Sequence, residues 1–102
     1  MIVVTVTFQL AGPVLAEDMR RLSRVNAEKF LGMAGLIRKY YVRSEDGTSV
    51  GGVYLWASRS EAEAFYTDAW SKAAQAAYGS VPAITYLDCP VVVDNTTSQI
   101  IA

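Results

Sequence analysis

The pair Asp46-Gly47 stands between two strand-forming runs, LIRKYYVR from Leu36 to Arg43 and GGVYLWA from Gly51 to Ala57. Glycine supplies the positive φ that a tight turn needs, so Asp-Gly between such runs is a strong short-range signal for an antiparallel hairpin. It restricts topology more than any other feature, because it makes two strands neighbours. Directly after the second run come Ser58-x-x-Glu61 and Ser60-x-x-Glu63, two overlapping capping boxes in which a serine oxygen takes an orphan helix N–H and the glutamate reaches back. A helix is therefore expected to start where the return strand ends. Its positions Ala62, Phe65, Tyr66, Ala69, Ala73 and Ala76 recur at three- and four-residue steps to about Tyr78, and Gly79 stops it.

The flanking segments complete an alternating pattern. Ile2, Val4, Val6 and Phe8 share one face of a first strand, with Val3, Thr5, Thr7 and Gln9 on the other. Ala11-Gly12-Pro13 breaks that strand, and Pro13 suits the first position of a helix over residues 13–31 with Glu17 and Asp18 in its first turn. Leu15, Met19, Leu22 and Phe30 lie on one stripe of this helix, and Asn26 interrupts it with a polar amide. Gly32 and Gly35 are expected terminators. Val81 to Val93 forms a fourth strand region interrupted by Pro90, which suits an edge or a bulge, followed by a polar tail, 94–102. The order βαββαβ predicts an α+β chain of ferredoxin-like topology. One domain over 1–102 would carry a four-stranded antiparallel sheet with two helices on one face.

Both faces of the hairpin strands carry apolar side chains. Hydrophobic residues make up 52% of the chain and charged residues 19%, against about 25% charged in an ordinary soluble protein. Two layers cover one sheet face only, so a second subunit is expected to cover the other, giving a homodimer. No apolar run approaches the ~18 residues that span a bilayer, and the start lacks a signal-peptide pattern, so no membrane partner and a cytoplasmic setting are expected. With a net charge of -1 and mixed signs, nucleic acid is disfavoured as a partner. A single cysteine and no histidine exclude the usual Cys/His zinc and His/carboxylate iron sites, so neither metal nor cofactor is expected. Cys89 lies between Asp88 and Pro90, where a carboxylate raises rather than lowers a thiol pKa, so it is not read as a nucleophile.

The stretches GLIRKYY (Gly35 to Tyr41), GGVYLW (Gly51 to Trp56) and EAEAFY (Glu61 to Tyr66) together resemble the YdhR-like monooxygenase family. That family sits in the dimeric α+β barrel superfamily with the antibiotic biosynthesis monooxygenases. The resemblance covers most of the chain and implies the same ferredoxin-like fold, assembled as a dimeric α+β barrel. It also implies cofactor-independent monooxygenation of a flat aromatic, phenol- or hydroquinone-like molecule. Haem-degrading relatives place a histidine on the second helix; this chain has none, which disfavours that route.

Such chemistry asks for a dry aromatic cavity, a group that helps displace a phenolic proton, and a donor or cation near the oxyanion. Tyr54 and Trp56 share a strand face, and with Tyr40 or Tyr41 and Trp70 they are the candidate substrate-binding rings; ordinary core packing is the competing reading. Asn26 and Arg38 are the candidate catalytic residues. An amide on an apolar stripe must find a partner, which is a loop backbone or a ligand. Arg38 and Lys39 lie on opposite faces of their strand, so one of them points inward or snorkels out. The doubled glycine, Gly51-Gly52, is read as a bulge or a close backbone approach, since alone it is too weak for phosphate binding.

Overall fold

A computed structural model describes residues 1–102. The hairpin is present. Strand β2 (Leu36–Arg43) pairs antiparallel with β3 (Ser49–Trp56), and β3 pairs with β1 (Ile2–Gln9), which in turn pairs with β4 (Ala83–Asp88). The order β2-β3-β1-β4 is the ferredoxin-like arrangement expected from the sequence. In the turn, Gly47 takes φ +76°, and the Asp46 carboxylate accepts from the Ser44 hydroxyl and from the backbone N–H and hydroxyl of Thr48. Those bonds hold the Asp46 carboxyl well below its usual range, at about 2.

Two expectations for the first helix need correction. Helix α1 spans Ala16–Ala27 and continues as a 3-10 turn over Glu28–Phe30, so Pro13 lies outside it. The backbone N–H of Val14 is bonded to the Gly47 carbonyl, and the Val14 carbonyl accepts from Arg43 Nε. Those bonds hold the segment before Ala16 against the hairpin turn and keep it out of the helix. The inward face of α1 is also not the full stripe Leu15, Met19, Leu22 and Phe30. Phe30 is buried and Met19 packs against the core, but Leu15 and Leu22 are exposed and no residue of α1 is fully buried. The helix stands off the sheet and is tied to it by the bond between Asn26 and Tyr41 of β2.

The second helix is two helices. Ser58 caps α2 (Arg59–Phe65) by accepting from the Glu61 N–H, while the Glu61 carboxylate accepts the Ser58 hydroxyl; Glu63 pairs instead with Arg59. Tyr66 leaves helical geometry at ψ 62°, and Thr67 then caps α3 (Asp68–Tyr78) by accepting from the Trp70 N–H. The sequence Thr67-Asp68 is a cap followed by a first-turn acid, which outweighs the continuous periodicity. The tail is likewise structured: β5 (Val92–Asp94) and β6 (Gln99–Ile101) form a second hairpin. No helix is long and apolar enough to cross a membrane.

The core lies between the sheet and the helices. It contains Ile2, Val4, Val6 and Phe8 from β1, Val50, Tyr54 and Trp56 from β3, and Phe30, Ala62 and Ala74 from the helical layer. One irregularity decides which side of β2 joins it. The register of the β2–β3 ladder shifts between Leu36 and Arg38, with Ile37 as the extra residue. A bulge of one residue reverses side-chain alternation. Leu36 faces the helices, and after the bulge Lys39, Tyr41 and Arg43 do so, opposite Tyr54, Gly52 and Val50. Arg38 and Tyr40 are thereby turned to the other face of the sheet.

Candidate active site

Because α1 stands off the sheet, a cavity of about 220 Å³ remains between them. Tyr41 and Lys39 of β2 and Gly52 and Tyr54 of β3 form one wall. Met19 and Asn26 of α1, with Lys29 and Phe30 of the 3-10 turn, form a second, and Trp70, Ala73, Ala74, Ala77 and Tyr78 of α3 form a third. Tyr78 stacks on Phe8 with ring centres 4.2 Å apart. An engineered apolar cavity of ~150 Å³ admits benzene, so this space accommodates one aromatic ring or two fused ones.

The doubled glycine has a role on each side. A Cβ on Gly52 would stand 2.9 Å from the Tyr54 ring and 3.3 Å from Lys39 Cε, so the absence of a side chain leaves the cavity floor open. A Cβ on Gly51 would collide with the Val6 carbonyl of the neighbouring strand. Both positions are close approaches and both line the cavity, with Gly52 facing Tyr54 and Lys39.

Polar groups converge on this space. The Tyr41 hydroxyl donates to Asn26 Oδ1 at 2.5 Å, so the amide on the apolar stripe has a side-chain partner inside the cavity. Burial pushes the Tyr41 hydroxyl up to about 12 and the Tyr54 hydroxyl further still, which keeps both neutral at physiological pH. Lys39 Nζ lies 3.6 Å from the centre of the Phe30 ring and 4.0 Å from that of Tyr41. Burial, reinforced by the nearby Lys29 ammonium, lowers Lys39 to about 7. No Asp or Glu lines the cavity, and no set of three His, Cys, Asp or Glu side chains is placed to hold a metal.

Of the seven candidate residues, the structure brings together four: Asn26, Tyr41, Tyr54 and Trp70. Trp56 is 1% exposed and packs behind Tyr54, with ring centres 6.3 Å apart, and its indole N–H donates to the Tyr66 hydroxyl. It supports the cavity wall without lining it. Arg38 and Tyr40 lie on the opposite sheet face, where Arg38 donates to the Tyr40 hydroxyl and pairs with Asp94 of β5 at 3.2 Å. Lys39, weighed from the sequence only as the inward alternative to Arg38, lines the cavity, as do Phe30 of the expected stripe and Lys29, which the sequence did not single out. The ladder that follows the Asp46-Gly47 turn sets Lys39 opposite Tyr54.

A ferredoxin-like domain with an aromatic cavity between sheet and helices, furnished with an amide, tyrosine hydroxyls and amines, is the architecture of a small-molecule site. The chain belongs to the family described as "Putative mono-oxygenase ydhR", which matches residues 3–94. In fold it is similar to a monooxygenase from the gene ActVA-Orf6 of Streptomyces coelicolor, solved in complex with Nanaomycin D. The two share 21% identity at a TM-score of 0.65, over 90% of this chain and 89% of that one. Among curated proteins, none matches the sequence significantly.

Proposed function

We propose that the protein is a cytoplasmic monooxygenase that oxidises a small hydroxylated aromatic compound with molecular oxygen and no added cofactor. The observation that carries this reading is the Asn26–Tyr41 pair inside a cavity walled by Phe30, Tyr54 and Trp70. In such a reaction the phenol loses its proton, the electron-rich phenolate passes electrons to oxygen, and a C–O bond forms. Loss of water then leaves a quinone, so phenol plus O2 balances as quinone plus water, and the substrate supplies every electron. The chain's duties are to exclude water, stack the ring and stabilise the oxyanion. The Asn26 amide N–H groups, oriented by the bond that Oδ1 accepts from Tyr41, provide hydrogen bonds for the last duty, and the rings provide the first two. The family match and the bound ligand of the Streptomyces coelicolor monooxygenase support the same direction.

The same reading includes a homodimer closed sheet to sheet. Ile37, Tyr40, Val42 and Leu87 are each between 43% and 51% exposed in the isolated subunit, on or beside the face away from the helices. A second copy would cover them and complete a dimeric α+β barrel, and mass in solution tests this.

A screen of phenols, hydroquinones, naphthols and anthrone-like compounds for thermal stabilisation, followed by oxygen uptake with each hit, tests the activity. Stabilisation with oxygen uptake is the expected result. Stabilisation without uptake would make the protein a non-enzymatic binder of an aromatic metabolite.

A further inference from the structure

Lys39 is the more enclosed of the two amines at the cavity, and no carboxylate in the fold pairs with it. The chain's three ion pairs, Arg21–Asp18, Arg38–Asp94 and Arg59–Glu63, all lie elsewhere. Its Nζ is instead surrounded by the faces of Phe30, Tyr41 and Tyr54, at 3.6, 4.0 and 4.6 Å from their centres. Ring faces attract a cation by roughly 0.5–2 kcal/mol, but they accept no ordinary hydrogen bond, and an ammonium has three donors. The other charged group at the cavity is Lys29, also a cation, and no carboxylate is present to balance the two. A cavity with two amines, aromatic walls and no acid is complementary to an aromatic anion.

We propose that the cavity takes a hydroxylated aromatic as its phenolate, with Lys39 Nζ accepting the hydroxyl proton and then pairing with the oxyanion. The inference rests on the monooxygenase reading only for the aromatic nature of the ligand. The ligand O–H bond breaks, an N–H bond forms at Lys39, the electron pair stays on oxygen, and no oxidant is consumed in this step. The amine must be partly neutral near physiological pH, and burial with Lys29 nearby brings it to about 7. The ionisable groups that face it are Lys29 from the 3-10 turn, Tyr41 from β2, Tyr54 from β3 and Tyr78 from α3, with the Asn26 amide from α1. Burial raises both Tyr41 and Tyr54, so neither supplies a counter-ion at neutral pH.

The test compares 4-nitrophenol with its methyl ether, 4-nitroanisole, at a pH where free nitrophenol is mostly protonated. Wild type is expected to bind the phenol at least about tenfold more tightly than the ether, and the bound ligand should show the visible absorption band of the phenolate. Lys39→Met should bind the two equally and show no phenolate band. Lys39→Arg keeps a charge but accepts no proton, so it should prefer the phenol only at a pH where the free ligand is already ionised. Equal binding by wild type, no binding of either compound, or a phenolate band that survives in Lys39→Met would overturn the inference; circular dichroism confirms that each variant folds. Oxygen uptake by screen hits separates this from the wider reading. Phenolate binding without uptake refutes the monooxygenase and leaves Lys39 in place, whereas uptake that is unchanged in Lys39→Met refutes the role of Lys39 alone.

Discussion

The Tyr41 hydroxyl donates to Oδ1 of Asn26 and so joins strand β2 to helix α1 across the cavity that separates them. Tyr41→Phe removes this bond and leaves the amide to water or ligand. A side-chain hydrogen bond contributes about 0.5–1.5 kcal/mol net, so a urea titration should show a loss of that size. Turnover should fall further, by tenfold or more, because the Asn26 amide loses the bond that orients it in the cavity. Equal turnover per folded molecule would assign the pair to structure alone.

Gly52 keeps the cavity floor open. In Gly52→Ala the new methyl stands 2.9 Å from the Tyr54 ring and 3.3 Å from Lys39 Cε, and one of them has to move. Overpacking of this kind costs about 1–3 kcal/mol. Affinity for any cavity ligand should fall with it, which isothermal titration measures.

Trp56 and Trp70 should separate in their effects. Trp56 is 1% exposed within the aromatic core, and truncating such a residue to alanine costs about 3–5 kcal/mol. Trp70 is partly exposed and lines the cavity. Trp56→Phe should therefore lower the melting temperature while leaving turnover per folded protein nearly intact, and Trp70→Ala should weaken ligand binding more than it lowers stability.

Stability should rise with pH from about 7 to about 10. Lys39 is lowered to about 7 in the native state, while an unfolded lysine titrates near 10.4. Between those values the unfolded chain binds more protons, so raising the pH favours the native state, and below about 7 the full cost of charging the buried amine is felt. Above about 10 the sign reverses, because unfolded tyrosines ionise there while Tyr41, Tyr54 and Tyr66 are held protonated by burial. Urea midpoints measured from pH 6 to 11 should trace this rise and fall, and Lys39→Met should flatten the rising limb. An identical rising limb in that variant would contradict the assignment.

The fold was legible because its signals were local: alternation in β1, Asp-Gly in the hairpin, and the Ser58 cap before α2. The site was legible in part. Asn26 drew notice as a polar break in an apolar stripe, and Tyr41, Tyr54 and Trp70 as rings on the elements that meet. Arg38 and Lys39 were undecided for a definite reason. The bulge at Ile37 turns β2 over by one residue, and strand alternation carries no mark of where a bulge falls. The division between α2 and α3 was hidden by a small-residue periodicity that runs through it, and the β5–β6 hairpin by a tail too short and polar to show alternation.

Oxidation is proposed to take place in the cavity between sheet and helices. Oxygen uptake with the best-stabilising hydroxylated aromatic, measured for wild type and for Ala73→Phe, tests it most directly. Ala73 is exposed on α3 at the cavity wall, so a ring there fills the space without disturbing the core. Wild type should consume one O2 per substrate with no cofactor added, and the variant, folded as judged by circular dichroism, should consume almost none. Uptake undiminished in Ala73→Phe, or no uptake by wild type with any ligand that stabilises it, would contradict the account.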